Sequence, residues 1–396
     1  MKLFANSFTQ NMKAKTQLLA AMLVAVSSWG PAWAQNFDAG SNGSLGALNV
    51  TEADMTVELP PDGRLHYTTV TVGLGRTLRF QRNALNTPVQ LLAQGDVVIN
   101  GVVSVNGAAG PDSPRIGGVA GPGGFDGGKP GFGAEFLPGD GYGPGGGRAH
   151  PGDINGSGGA GHFSPGLGGS LAGQTYGSPL LIPLMGGSGG GGQVGNPGSG
   201  GGGGGGAILL ASNTRITLGG HIQAFGGNWR GNSRNGGSGG AVRLLAPRVD
   251  GSGLVSAQGG EGGGPGRIRI DCFDKRGLTL RIEPPHVLTI GTTMFVQPST
   301  LPRLDLVMAA GQNIPLGTGN TVQVLLPFNS PTNQTVTLRA QDFGADVPVR
   351  LTLTPDNGPR IVIDTNLVNT AQNPATLDIP ISLPVNNLTT IHAWTR

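Results

Sequence analysis

Alternation of apolar and polar positions with a period of two dominates this chain, and it recurs in three related segments. "LLAQGDVVINGVVSVNG" runs from Leu91 to Gly107, "LLASNTRITLGGHIQAFGG" from Leu209 to Gly227, and "LLAPRVDGSGLVSAQGG" from Leu244 to Gly260. Each opens on Leu-Leu-Ala, passes a glycine near its middle, alternates again and closes on glycine. In the first copy Val97, Ile99, Val103 and Val105 share one face; in the second, Ile216 with Leu218 and Ile222 with Ala224 repeat the spacing. A period of two is that of a strand with one buried face, and a mid-segment glycine allows a sharp corner between two short strands. A unit of this size cannot bury its apolar row alone, so the copies are expected to stack. "GRIRID", Gly266 to Asp271, reads as the last strand, with Ile268 and Ile270 inward and Arg267 and Arg269 outward in solvent. "HYTTVTVGLGRTLRFQ", His66 to Gln81, supplies two more strands upstream.

Between the first and second copies the pattern vanishes. Residues 107–206 hold 42 of the chain's 75 glycines, including the unbroken run Gly200 to Gly206. Such text has almost no side chains to bury, and each glycine costs more backbone entropy to order than any other residue. The glycines keep no strict third-residue period, which excludes collagen. Two states remain open: a flexible loop, or extended glycine strands packed closely because no side chains hold them apart. The apolar stretch "SPLLIPLM", Ser178 to Met185, offers a means of pinning the segment, so partial order is expected.

Near Pro284-Pro285 glycine becomes sparse. "NTVQVLLPF", "QTVTLRAQ", "VPVRLTLT", "RIVIDT", "ATLDIPISL" and "TTIHAWT" alternate with Pro/Asn/Gly turns, and about seven strands over 286–396 fit an immunoglobulin-like β-sandwich. The expected fold is therefore all-β: a β-solenoid, parallel β-helix-like, over 35–283 with a long glycine-rich insertion at 107–206, then a β-sandwich over 286–396. Residues 1–34 read as a secretory signal peptide. Lys2, Lys13 and Lys15 precede an apolar stretch too short to span a bilayer, and Ala32-Trp33-Ala34 forms a cleavage site. Their removal leaves 22 basic against 22 acidic residues, so no broad basic surface for nucleic acid remains. No later segment reads as an integral membrane helix. Cys272 is the only cysteine, so no intrachain disulfide can form, and a buried side chain is its expected role.

The combination of "GDVVINGVVSVNG", "GGGGGGAILLASNTRITLGGHIQAFGG" and "GGSGGAVRLLAPRVDGSGLVSAQGG" ahead of "GRIRID" resembles the glycine-rich, exported bacterial β-helix proteins. The resemblance covers about Leu91 to Asp271 and implies a secreted, cell-surface or periplasmic location. It carries no catalytic motif.

The sequence offers residues for four chemistries. Polysaccharide cleavage would draw on Asp250, Asp271, Arg267, Arg269 and Lys275, but no spacing brings two carboxylates to one bond; solvated charge is the plainer role. His150, Asp153 and His162, with Asp126 and Asp140, lack a dedicated metal spacing, so no metal or other cofactor is expected. The glycine run lacks the Gly-Lys-Ser/Thr ending of a phosphate loop. Trp229 and Arg230, in "HIQAFGGNWRGNSRNGG", set an aromatic face beside polar groups and are the candidate ligand-binding residues, for sugar or protein. The expectation is a non-enzymatic surface, matrix or adhesion protein, partnered by polysaccharide or another surface protein. The alternative is a carbohydrate-active β-helix enzyme, a lyase or hydrolase.

Overall fold

The computed structural model describes residues 37–395 apart from 112–115, 134–136, 151, 153–155, 196–197, 229–233, 297–301, 317–321 and 356–359. The expected signal segment lies outside them, as do Trp229, Arg230 and Asp153. Among the described residues the fold is all-β, with no α-helix and no helix long and apolar enough to cross a membrane.

The first seventeen strands form three parallel sheets that the chain visits in rotation. The first round is β1 (Leu48–Val50), β2 (Met55–Glu58) and β3 (Arg64–Tyr67). The second is β4 (Val70–Val72), β5 (Thr77–Gln81) and β6 (Val89–Ala93). Next come β7 (Val97–Ile99), β8 (Val102–Ser104) and β9 (Ala207–Ser212), then β10 (Arg215–Leu218), β11 (His221–Gln223) and β12 (Ala241–Leu245). β13 (Arg248–Asp250), β14 (Leu254–Ser256), β15 (Arg267–Asp271), β16 (Arg281–Glu283) and β17 (Leu288–Gly291) complete the series. Sheet A is β1-β4-β7-β10-β13, sheet B β2-β5-β8-β11-β14-β16, and sheet C β3-β6-β9-β12-β15-β17. This arrangement is consistent with the expected β-helix. "GRIRID" is not the last strand: β16 and β17 follow it, and β17 pairs with β15 beyond Pro284-Pro285.

Stacking places like on like. Leu65, Leu91, Leu210, Leu244, Ile270 and Ile290 make one ladder across sheet C. Val70, Val97, Ile216 and Val249 make another in sheet A, and Leu78, Val103, Ile222, Val255 and Ile282 a third in sheet B. All three enter one apolar core together with the buried Cys272, apart from the half-exposed end rung Ile290. β6 pairs directly with β9 although residues 94–206 lie between them. At the corner between sheets A and B, a Cβ on Gly220 would strike the Gly101 carbonyl, so successive corners nest only as glycine.

Within 107–206, the run from Gly200 to Gly206 carries regular hydrogen bonding. The N–H groups of Gly200, Gly203 and Gly206 donate to the carbonyls of Pro111, Ala108 and Val105. Those of Gly201, Gly204 and Ala207 donate to Gly128, Phe125 and Pro122, and those of Gly202 and Gly205 to Asn235 and Ser238. Every third residue thus faces the same neighbour, and the partner also shifts by three, backward in the first two series and forward in the third. That is the symmetry of a polyproline-II helix, which has three residues per turn and no internal hydrogen bonds. The carbonyls of Gly201 and Gly204 accept from Gly118 and Gly121, those of Gly202 and Gly205 from Gly190 and Gly187, and that of Gly203 from Gly227. The run is surrounded by glycine-rich backbone and fully buried. Of the two states open from sequence, close packing is the one adopted along this run.

A stacked pair, His162 and Tyr176, ties this segment to its surroundings through hydrogen bonds. His162 stacks on Tyr176 with ring centres 4.5 Å apart, and its Nδ1 lies 2.8 Å from the Gly239 carbonyl. Tyr176 donates to the Gly186 carbonyl (2.6 Å), and its own carbonyl accepts from Arg267 Nη2 (2.8 Å) and Nε (3.1 Å). Leu181 and Leu184 of the apolar stretch pack on Ala207 and Ala241.

β18 (Arg303–Ala309), β19 (Gln312–Asn313), β20 (Asn333–Gln341), β21 (Asp346–Pro355), β22 (Ile361–Val368), β23 (Ala375–Ser382) and β24 (Thr389–Thr395) are antiparallel. They form a four-stranded sheet, β19-β18-β20-β23, and a three-stranded sheet, β22-β21-β24. Val336, Leu338 and Ile379 of one share a core with Val349, Leu351 and Leu353 of the other. Of the expected strands, "NTVQVLLPF" is not one: its described residues 322–328 are irregular, and "RLDLVMA" at β18 takes its place.

Candidate functional site

The outward side chains of sheet C build the most organised polar feature. Pairing aligns Arg64, Gln90, Leu209, Arg243, Arg269 and Thr289 in one outward row, and His66, Leu92, Ala211, Leu245, Asp271 and Gly291 in the next. Outward positions on a strand ordinarily meet water, as expected for Arg269 and Asp271. Here the segment after β17 folds back across them. Arg243 is 1% exposed, Arg269 7% and Asp271 0%, so the expectation of solvated charge is corrected for this cluster.

Asp271 is the hub. Its Oδ2 accepts from Arg269 Nε (2.8 Å) and from Arg243 Nη2 (3.2 Å) and Nε (3.3 Å). Its Oδ1 accepts from Arg269 Nη2 (2.7 Å) and the Thr293 N–H (2.9 Å). Arg243 Nη2 donates to the Thr293 carbonyl (3.0 Å) and Arg269 Nη2 to the Thr293 hydroxyl (3.1 Å), so Thr293 is clamped from both sides. Burial lowers the pKa of Arg243, and the charge of Asp271 counters that shift. Phe295 lies over the Arg243 guanidinium, 5.8 Å from ring centre to Cζ.

Beside the clamp, at the β3–β6 end of the same sheet, lies a groove of about 310 Å³. Arg64, His66, Gln90 and Leu92 line its floor. Asp38, Ala39 and Gly40 form one wall, and Met294, Phe295 and Val296 the other. The first wall is tethered where Ala39 N–H donates to Asn213 Oδ1 (2.6 Å). Phe295 is 42% exposed. Sequence reasoning missed this groove, because its walls come from residues more than 250 positions apart, outside the repeats.

The other nominated residues do not converge. Asp250 is on sheet A, paired with Arg248 at 2.7 Å, whereas Asp271 is in sheet C. Lys275 is exposed. Arg267 serves Tyr176 and lies over Phe163. Asp126 is held by Arg82 Nη2 (3.1 Å). His150 accepts from the Gly152 N–H, while His162 is buried elsewhere. Among the described residues no three His, Cys, Asp or Glu side chains gather as a metal site.

A second polar cluster joins β24 to the glycine-rich segment. Arg360 donates from Nη2 to the Gly141 carbonyl (2.7 Å), and its Nε lies 2.9 Å from Asp140 but is not aligned for a hydrogen bond, so charge holds that pair. Trp394 meets Phe125 edge to face, and His392 lies between Tyr142 and Trp394. Burial, with the Arg360 charge second, pushes the pKa of His392 down to about 4; burial does the same to His162. A folded value below the unfolded value of about 6.5 means the native state holds the neutral ring. Stability from each ring is whole above pH 6.5 and is lost as pH falls toward 4, by on the order of 3 kcal/mol. His392→Gln should unfold with less pH dependence than wild type across that window, measured as urea midpoints at about pH 7.5, 5.5 and 4. Parallel pH curves would refute the assignment.

No protein-family model, curated protein or solved structure matches this chain.

Proposed function

We propose that this chain is an exported, non-enzymatic component of a bacterial surface or extracellular matrix: a β-solenoid bearing a glycine-rich insertion, followed by an immunoglobulin-like β-sandwich, and acting in adhesion. One observation carries the reading. The charged groups most suited to chemistry are engaged in structural contacts: Asp271 and Arg269 clamp Thr293, Arg267 holds the Tyr176 carbonyl, and Asp140 pairs with Arg360. Side chains spent in this way make a stiff body rather than a reactive centre. The signal-like residues 1–34 support export, and near-neutral charge after their removal suits a polysaccharide or protein partner over nucleic acid.

The groove on sheet C is what favours the alternative, a carbohydrate-active enzyme. Its lining contains one carboxylate, Asp38, whereas glycoside hydrolysis ordinarily requires two. Binding without cleavage fits that lining better.

The test is fractionation of the native host with an antibody against the chain, combined with protease shaving of intact cells. The expected result is a processed species, lacking about 34 residues, in the medium or accessible on the cell surface. An unprocessed species confined to the cytosol would overturn the reading. Release of reducing ends or unsaturated products from a polysaccharide panel would favour the enzyme.

A further inference from the structure

We propose that the loops at one end of the two antiparallel sheets dock this chain on a lipid surface of neutral charge, by inserting Leu325, Phe328, Val385 and Leu388 into the bilayer interface. The inference goes beyond the surface-component reading, and it does not depend on export.

Strand pairing gathers these loops. Asn333, where β20 begins, pairs with Ser382, where β23 ends, so the chain entering β20 and the chain leaving β23 emerge together. The Leu383 N–H donates to the Thr332 carbonyl (2.8 Å) and Gln312 Nε2 to the Leu325 carbonyl (2.9 Å), which ties both loops and the short β19 into one end. Ile314, Val324 and Leu383 pack on the core and anchor the loops. The apolar residues beside them stay outside: Phe328 is 92% exposed, Leu325 82%, Val385 70% and Leu388 68%. Asn329 and Asn386 take positive φ directly after Phe328 and Val385, so each of these two side chains stands at a formed turn.

Charge selects the partner. No Asp, Glu, Lys, Arg or His occurs from Leu306 to Leu338, a run of 33 residues, nor from Ile379 to Ile391. At the chain's 12% of charged residues, about four would fall in the first run alone. The β21–β22 connection, which carries Asp356 and Arg360, belongs to the other sheet, and Arg360 is held by Asp140. A protein partner is ordinarily met through a polar rim around an apolar centre. A bilayer instead penalises each charge carried into it and takes Leu, Phe and Val favourably. Attraction to anionic headgroups needs basic residues, and neither run has one. Area disfavours a second copy. Four side chains on two loops present on the order of a few hundred Å² of apolar surface, the size of a functional patch, whereas a standard interface buries about 800 Å² on each side. A bilayer needs no matching face, because acyl chains close around each side chain separately.

The experiment is flotation with phosphatidylcholine vesicles, and with a phosphatidylcholine–phosphatidylglycerol mixture, of the chain without residues 1–34, which hold none of the described fold. Half the protein should float at about 0.1–1 mM phosphatidylcholine, up to tenfold weaker than a single myristoyl anchor. The anionic mixture should do no better, and about 0.5 M NaCl should cause no loss. Leu325→Ser with Phe328→Ser, and separately Val385→Ser with Leu388→Ser, should each weaken flotation about tenfold, with unchanged urea midpoints because these side chains already meet water. Leu325→Met with Phe328→Leu keeps the apolar surface and should float like wild type. So should Leu74→Ser, on an 86% exposed leucine between β4 and β5. Undiminished flotation of both serine pairs overturns the proposal, as does flotation that requires anionic lipid or is lost in salt. A dimer in sedimentation velocity that the serine pairs dissolve, without flotation of wild type, overturns it in favour of a second copy. Absence of both flotation and dimer overturns it as well, and delivery outside the cell is untouched by any of these results.

Discussion

Gly204→Ala should break the packing of residues 107–206 and expose them to protease, at a cost above about 3 kcal/mol. A Cβ at this position would sit inside the contact distance of the Gly187 carbonyl, with the Ser188 nitrogen next nearest. These are backbone atoms of a neighbouring strand that itself donates to Gly205, so neither side can swing away as a side chain would. Ordinary overpacking costs about 1–3 kcal/mol because side chains and local backbone adjust; here the lattice must separate. The added methyl also breaks an exchange that makes the segment possible. Each interior glycine pays roughly 0.5–1 kcal/mol more than alanine to be ordered, and recovers about 1 kcal/mol for each net hydrogen bond with close dispersion contact besides. Gly152→Ala is the matched control: its Cβ would meet only the His150 ring at 3.7 Å, an ordinary contact. Limited proteolysis followed by mass spectrometry reads the difference. Wild type and Gly152→Ala should resist cleavage along Gly198–Gly206 and Gly186–Gln193, where the backbone is buried, and Gly204→Ala should be cut there at least about tenfold faster. Equal rates for all three would show that the packing does not govern order in this segment.

That segment marks where sequence reading stopped. The parallel strands were legible because burial with a period of two leaves a trace in residue type. The glycine packing leaves none: its period of three lies in hydrogen-bond partners, and when every position is glycine the text carries no phase. Register was legible only in part. Aligning the three Leu-Leu-Ala openings would set Leu209 beside Leu91, whereas Leu210 is the residue that pairs with both Leu91 and Leu244. A slip of one residue reverses every face, and only the neighbouring strands decide it. The candidate site was the least legible. Asp271 and Arg269 read as solvated because their strand alternates correctly. Their cover comes from residues around Thr293, in text that resembles a linker. Trp229 and Arg230 stand out in the sequence by aromatic and polar character in a glycine turn, and they lie outside the described residues; the groove takes its aromatic from Phe295, which stands in no repeat.

Asp271→Asn should destabilise the protein by about 3–5 kcal/mol, because the substitution keeps the shape of the hub and removes the charge that two buried guanidiniums share. Arg243 and Arg269 would then face each other as like charges with no carboxylate between them, and Thr293 would lose its charged acceptor. The segment over sheet C should loosen first, since its polar attachment runs through Thr293 to these three side chains. Hydrogen exchange of amides in 268–271 and 291–295 reports that loosening directly, and urea midpoints give the global loss. A triple variant with Arg243→Met, Asp271→Leu and Arg269→Met separates the two roles of the cluster. Replacing a buried ionic triad by apolar residues of similar volume is often neutral or stabilising, because the desolvation cost disappears with the charges. The triple variant should therefore recover most of the stability lost in Asp271→Asn while lacking the unbalanced positive charge beside the groove. Stability equal to wild type in Asp271→Asn would mean that the clamp contributes nothing to holding the segment. Loss in the triple variant as deep as in the single one would mean that the polar contacts to Thr293, rather than charge balance, secure it. The two effects are distinguishable because the single variant leaves both cations buried and the triple variant leaves none.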